Sequence, residues 1–549
     1  MDREELHRRV MLLRDQVQAG KFKVMAHLAD AFLEDLSAIR IADDGLVDPL
    51  TVSPRVRSSA LLVSEIRYRE EVKAEISTRE IQELYFSLVE SLFGEIMDLF
   101  NQTSTTPARF ASWFTSIDEQ VSKNDPIFRE FLEKIDDFWD EIGDAAWIIL
   151  EDDDSLKAVF GGEPFPTGDP TVGLGLYFDT VVLPDPFLRM GELLRQGGAK
   201  SRVENVIRWA IEVLRIKALA LAEVEPPIVV ILPDRAHFRP HYRELILASA
   251  DEDTLNHLER AFGRRFGSIQ EADEFLRSAK EPKEVLALVS DPSRVLFATE
   301  WDDPLEEQLG RYFEEWVKPY GLQGTLGQHL LNQIKSRMMQ ATDLLRRSAD
   351  IEGSPIIKAE TPWTWLQWKL EYRSSLHPEA HIGRLHVART LGNADHPDLV
   401  WIGDVPPEAM IEMRQQEALP ELREQISRGI QDFDSARAQD FEGTADHVAE
   451  NLQAAIARHR ENVRALRKKN LKFAGRDLGS FLVTGTIAIA AAASGTPLFG
   501  VLATIAGLSG GVPTAKGLKE RSDNLREDRE RIARSPMGIL SKYVRLPRS

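Results

Sequence analysis

Apolar positions recur at spacings of three and four through most of this chain, the signature of helices with one buried face. Leu6, Val10, Leu13 and Val17 form the first stripe, Gly20 interrupts it, and Val24, Leu28, Phe32 and Leu36 resume it. Asp43-Asp44-Gly45 and Asp48-Pro49 mark a loop. Between 55 and 101 the pattern returns, and Leu84, Leu88, Leu92 and Ile96 lie on one face. Pro107 is expected to open another helix and Pro126 a third running towards Leu150. Residues 1–160 therefore read as an N-terminal helical bundle.

At 161–170 the texture changes to Gly and Pro, which predicts a boundary. Residues 175–184 and Ile228–Leu232, rich in β-branched and aromatic residues, predict strands, and Leu399–Ile402 a third. Helices are expected over 201–222, 251–262, 270–279, 304–349, 406–475 and 516–534, whereas 284–289 and 294–300 fit either short strands or short helices. The expected organisation is a mainly α, multidomain protein. A mixed α/β segment spans 161–300, a helical domain 301–450, and a basic C-terminal module 451–549.

Residues 478–515 break the pattern. No charge occurs between Asp477 and Lys516, in a chain that is 28% charged, and alanine and glycine dominate. Gly495 and Pro497 divide the stretch, which predicts two helices turning at Ser494–Pro497, an Ala/Gly-rich hydrophobic hairpin. The halves, 478–494 and 498–512, would be about 26 Å and 22 Å long against a hydrocarbon core of about 30 Å. Each carries about six strongly apolar residues, worth about −2 to −3.5 kcal/mol on insertion, offset by serines, threonines and glycines. The residues expected to meet lipid or a second copy are Phe481, Leu482, Ile487, Ile489, Leu498, Phe499, Leu502, Ile505, Gly507 and Gly511. Arg467, Lys468, Lys469, Lys472 and Arg476 precede the stretch, and Lys516, Lys519 and Arg521 follow it. Cations on both sides suit a hairpin that returns to the face it left, against anionic headgroups. In texture, though without a shared motif, the stretch resembles the hydrophobic hairpin of pore-forming colicins over about 38 residues, and the likeness carries no function with it.

Charge sharpens this division. The 549-residue chain has a formal net charge of −20. Residues 455–476 carry about +7 and 516–549 about +5, leaving roughly −30 on the acidic body that precedes them. That balance disfavours nucleic acid as a partner, because phosphate neutralisation needs clustered cations. Cysteine is absent, which excludes disulfides, thiolate metal sites and cysteine nucleophiles. The N-terminus leads into an amphipathic pattern and not an apolar signal sequence, so a cytoplasmic start is expected.

Candidate chemistry is sparse. Asp179, Asp185 and Asp234 fall at expected strand ends, where carboxylates can hold divalent metal for phosphoryl or hydrolytic chemistry. Two of them sit in Leu-Pro-Asp sequences, the composition of a turn or helix cap. His377, His381 and His386, with His396, form a histidine-rich run, and His377 and His381 have a metal-ligand spacing on a helix. The sequence between them, Pro-Glu-Ala, lacks the glutamate of a metalloprotease motif, and no metal is expected there. His237 and His241 enclose Pro240. Gly507-Leu-Ser509-Gly-Gly511 matches a nucleophile elbow in letters, but no histidine follows it. Neither Gly197–Ser201 nor Gly173 and Gly175 satisfies a phosphate-loop or dinucleotide pattern, so no cofactor is expected. Trp365, Trp368 and Tyr372 share one helix face, which predicts core or interface aromatics.

The expected role is non-enzymatic: a helical body controlling a C-terminal hairpin that engages an anionic membrane surface or self-associates, with a homo-oligomer or protein partner. The alternative is a metal-dependent hydrolase or nuclease using Asp179, Asp185 and Asp234. A second alternative is a soluble scaffold with the hairpin buried.

Overall fold

In a computed structural model the chain is mainly helical with one small four-stranded sheet. Residues 2–22, 24, 26–161, 170–317, 323–372, 387, 390–391, 398–428, 441–473 and 515–547 are described. The predicted hairpin, apart from Ala515, and all of His377, His381, His386 and His396 lie outside the described residues.

Two compact units, each discontinuous in sequence, make up the chain. The first comprises 1–154, 185–214 and 230–240. Its helices are α1 (Arg3–Gln18), α2 (Ala26–Ser37), α3 (Pro54–Glu75), α4 (Thr78–Asn101), α5 (Pro107–Thr115) and α6 (Asp118–Glu151). The first predicted stripes supply its core: Leu6, Val10, Leu13 and Phe32 pack with Val56 and Ala60 of α3. The predicted stripe of α4 does not: Leu84 is exposed and Leu88, Leu92 and Ile96 are half-buried, and the buried face carries Ile81, Tyr85, Val89 and Phe93 instead. Further along, Phe93 of α4 meets Phe128 and Phe131 of α6 with ring centroids 5.1 and 5.0 Å apart. Ser77 begins α4 with a capping box closed by Glu80. Pro126 does not open a helix as expected but lies inside α6, which starts at Asp118. The helix tolerates it by giving up the one bond that a proline at this position cannot donate to the Ser122 carbonyl.

The second unit comprises 155–184, 215–229 and 241–549. The sheet runs in the order β3-β2-β1-β4, with β1 (Lys157–Gly161), β2 (Thr180–Pro184) and β4 (Ser354–Ile357) in this unit and β3 (Val229–Leu232) mostly in the first. β1 is parallel to both neighbours, with Ala158 opposite Val181 and Ser354. β1, β2 and β3 are buried along their whole length, as expected of a parallel sheet covered on both faces.

Two strand expectations need correction, and two strands went unpredicted. The run predicted to start at 175 begins at Thr180, because helix α7 (Pro170–Gly175) and a turn through Leu176–Phe178 take up its first half. Gly173 is required in α7: a Cβ there would lie 2.2 Å from the Leu391 carbonyl oxygen. Leu399–Ile402 is not a strand. Val400–Asp404 forms a 3₁₀ turn that buries Trp401 and Ile402. Both β1 and β4 escaped prediction. β1 opens on a lysine, and β4 carries Pro355, which removes a ladder donor and is tolerated because β4 is an edge strand.

Helices α8 (Pro186–Arg189), α9 (Gly191–Gln196), α10 (Ala199–Arg215), α11 (Lys217–Ala220) and α12 (Arg235–Phe238) follow β2 and β3, and all but α10 are short. Next come α13 (Pro240–Phe262), α14 (Ile269–Leu276), α15 (Pro282–Leu288), α16 (Leu305–Tyr312), α17 (Leu326–Asp350) and α18 (Glu360–Tyr372), which share a core around Leu258, Leu276, Leu330, Ile334 and Trp365. The run 284–289 is thus helical through Leu288, within α15. The C-terminal helices are α19 (Pro407–Gln415), α20 (Leu419–Ser427), α21 (Phe441–Phe473), α22 (Ala515–Arg534) and α23 (Pro536–Tyr543).

Candidate functional site

The three candidate carboxylates have separate local tasks. Asp185 is buried at the end of β2 and caps α8, accepting from the backbone N–H groups of Phe187 and Leu188 at 2.7 and 3.0 Å. Its second oxygen accepts from the Trp139 indole at 2.6 Å. Burial pushes its carboxyl up to about 6, against these hydrogen bonds, which pull it down. Asp234 ends β3 in the same Leu-Pro-Asp sequence and is the N-cap of α12. Here Trp147, eight residues beyond Trp139 on α6, donates to the Pro233 carbonyl at 3.1 Å. The Arg235 guanidinium lies 5.3 Å from the centroid of the Trp147 ring and 2.5 Å from Glu151. Gln82 completes this edge: its side-chain amide exchanges two hydrogen bonds with Ile231, at 3.0 and 2.9 Å. A buried glutamine thus satisfies backbone groups that a further strand would otherwise pair.

Asp179 belongs to the second unit, ahead of β2. It accepts from the Leu156 N–H at 2.9 Å and from Arg423 at 2.8 Å. Arg423 also donates to the Tyr177 carbonyl, and Arg414 to the carbonyls of Asp179 and Pro226. These two arginines tie α19 and α20 to the segments entering β2 and β3. Nothing in the sequence around 414–423 signalled that role. Among the described residues no group of three His, Asp or Glu side chains could hold a metal ion.

The aromatic face of α18 surrounds a histidine. Trp365 is buried in the core, and Trp368 and Tyr372 pack at its edge. The His257 ring of α13 lies 4.8 Å from Trp365 and 5.0 Å from Trp368. Tyr372 shares a 2.7 Å hydrogen bond with its Nδ1, and the Arg294 carbonyl lies 2.8 Å from its Nε2. Accepting from the phenol and donating to the carbonyl describe one neutral tautomer. Burial lowers the imidazole to about 4, consistent with that form. One turn earlier, Asp253 pairs with buried Lys369, which also donates to Thr342 at 2.9 Å. Sequence periodicity found the aromatic face but neither His257 nor the Asp253–Lys369 pair.

The C-terminal module frames the charge-free stretch. α21 enters it, α22 leaves it, and the two helices pack against each other. Their remote ends are built into the second unit. Val448, Leu452 and Ile456 of α21 and Met537, Ile539 and Leu540 of α23 are buried. Asn451 donates to the Ile426 and Arg428 carbonyls, and Tyr543 donates to Glu412 at 2.8 Å. Among the described residues no helix is long and apolar enough to cross a membrane.

Comparison with protein-family models, with curated proteins and with solved structures finds no match to this chain.

Proposed function

We propose that this protein is a non-enzymatic membrane-engaging device. Its charge-free segment, residues 478–515, enters the headgroup and acyl region of an anionic membrane, and the acidic body holds it until then. The observation that carries this reading is the placement of the segment. It connects two mutually packed helices whose far ends are anchored in the second unit. Basic residues stand at both of its ends, Lys468, Lys469 and Lys472 before and Lys516 and Lys519 after. A segment held at both ends can leave and return on one side of a bilayer, and cations at both ends favour that topology. The small residues, Gly507 and Gly511 among them, suit close helix packing inside lipid or against a second copy. The association would be peripheral or conditional, from the cytoplasmic side.

Flotation of the full-length protein with phosphatidylglycerol-containing liposomes tests this. Wild type should float, and Gly507→Arg should not, because an arginine at hydrocarbon depth costs about 3 kcal/mol or more. A Gly507→Arg protein that still floats sinks the membrane reading. A variant that instead melts earlier or loses an oligomer assigns the segment to a soluble interior or a self-association surface.

A further inference from the structure

α20, α21 and α22, with the start of α23, enclose a groove of about 390 Å³ within the second unit. That is large enough for a small polar ligand. Its chemistry is divided. α21 contributes Arg458, His459 and Asn462, and α22 contributes Arg531. α20 contributes Glu421 and Gln425.

Several of these groups lack protein partners suited to them. The His459 ring makes no hydrogen bond among the described residues, and burial holds its imidazole below the usual value. Arg458 makes a single long contact, 3.4 Å to the Ala454 carbonyl within its own helix. Gln425 donates to Glu421 at 3.0 Å, but its Oε1 is buried with no hydrogen-bond partner. Arg531 is paired with Asp528 at 2.9 Å and keeps further donors. The groove therefore offers solvent-facing guanidinium groups and a half-buried imidazole from α21 and α22. It offers an unsatisfied acceptor, beside a carboxylate, from α20. A buried acceptor without a donor is costly, and a ligand hydroxyl would remove that cost.

We propose that this groove binds a phosphorylated polyol. Its phosphate lies against Arg458, His459 and Arg531, and its hydroxyl groups donate to Gln425 Oε1 and Glu421. A simple anion satisfies the cationic side alone, and Glu421 and Asp528 oppose it. A neutral sugar leaves the guanidinium groups without an anion. Only a ligand with both functions uses both walls. Occupancy would bridge α20, α21 and α22 and fasten together the helices that lead into and out of 478–515. The site stands without the membrane reading, whereas this consequence for the segment rests on it. The phosphorylated polyol can be a free phosphate ester or the headgroup of an inositol lipid.

Calorimetric titration of the full-length protein with inositol 1-phosphate, glycerol 3-phosphate and inorganic phosphate tests the site. Inositol 1-phosphate should bind about 10-fold or more tightly than inorganic phosphate, the gain from added hydroxyl hydrogen bonds. Arg458→Ala, at an exposed position, should weaken both by about 10-fold, the loss of a charge-assisted bond. Gln425→Leu should remove the preference for the polyol and leave inorganic phosphate unaffected. Flotation of the Gly507→Arg protein, which removes the contribution of 478–515, with phosphatidylinositol vesicles against phosphatidylserine vesicles separates the sources. Arg458-dependent flotation with the inositol lipid alone assigns the headgroup, and binding of the soluble ester without it assigns a free ligand. The proposal is overturned if neither form binds saturably, or if Arg458→Ala binds both as wild type does. Gly507→Arg protein that has lost flotation with phosphatidylglycerol-containing liposomes but still binds inositol 1-phosphate leaves the site in place whatever becomes of the segment.

Discussion

The Trp139 indole N–H points at Asp185 Oδ2 from 2.6 Å, and both residues are buried. One donor from α6 thus completes a carboxylate whose other oxygen caps α8, so helix packing and helix initiation depend on the same side chain. Trp139→Phe should keep the ring and remove the bond, costing about 1–3 kcal/mol. Asp185→Ala should cost more, because the cap is lost as well. Urea denaturation of both variants checks this. Values for both within about 0.5 kcal/mol of wild type, the range of ordinary surface changes, would remove the role assigned to the pair.

Asp185 and His257 should give stability opposite dependences on pH. The Asp185 carboxyl is raised to about 6, above its unfolded value, so its contribution is fully present below about pH 4 and falls as pH rises through 6. The His257 imidazole is lowered to about 4, so its contribution is fully present above about pH 6.5 and falls as pH drops through 4. Each window spans about two pH units, hence about 3 kcal/mol at most. Compared with wild type, Asp185→Asn should lose more stability on acidification from pH 6 to 4, and His257→Asn should lose less. Denaturation at pH 4, 5 and 6 reads the difference, and identical pH profiles for both variants would contradict it.

The stripe of α1 was legible because it is local: Leu6, Val10 and Leu13 lie within two turns and require no knowledge of their partner. The strand ends were partly legible for the same reason, since the proline and aspartate of Leu-Pro-Asp mark a turn wherever they occur. The partners that give those turns their meaning were not. Trp139 lies 46 residues from Asp185, and Gln82 lies 149 residues from Ile231. No periodicity encodes such pairings. β4 was hidden by Pro355, whose ordinary reading is against a strand. His257 was hidden because an isolated histidine on a helical stripe has the same spacing whether it is solvated or set between two tryptophans.

Lys369 and Asp253 form a buried ion pair supported by Thr342. Removing one partner should be far worse than replacing both. Asp253→Leu alone should cost about 3–5 kcal/mol by taking the carboxylate away from a buried ammonium. The double change Lys369→Met with Asp253→Leu should recover most of that, because neither side then carries a charge out of water. Thr342 would remain satisfied through its 2.7 Å bond to the Met338 carbonyl. A double-mutant cycle by chemical denaturation measures the coupling. Additive single losses would show that the two residues do not act as a pair.

The proposed membrane step has two separable physical parts, and salt distinguishes them. The basic flanks act at a distance through the surface potential of an anionic bilayer, at about 1 kcal/mol for each cation near the surface. Lys468, Lys469 and Lys472 lie on the N-terminal flank of the charge-free stretch, ahead of Arg476. Replacing all three with glutamine should therefore weaken liposome association about 100-fold at low ionic strength. That deficit should shrink as salt shortens the Debye length from about 30 Å at 0.01 M to about 8 Å at 0.15 M. The apolar part does not depend on screening. Gly507→Arg should abolish association at every salt concentration, and neutral phosphatidylcholine vesicles should retain only what the apolar segment supplies. Co-sedimentation across a salt series, for wild type and both variants, reads the two parts independently. If the triple variant binds anionic vesicles as wild type does at low salt, the flanking cations do not meet the bilayer. The segment would then lie within the protein or between two copies of it.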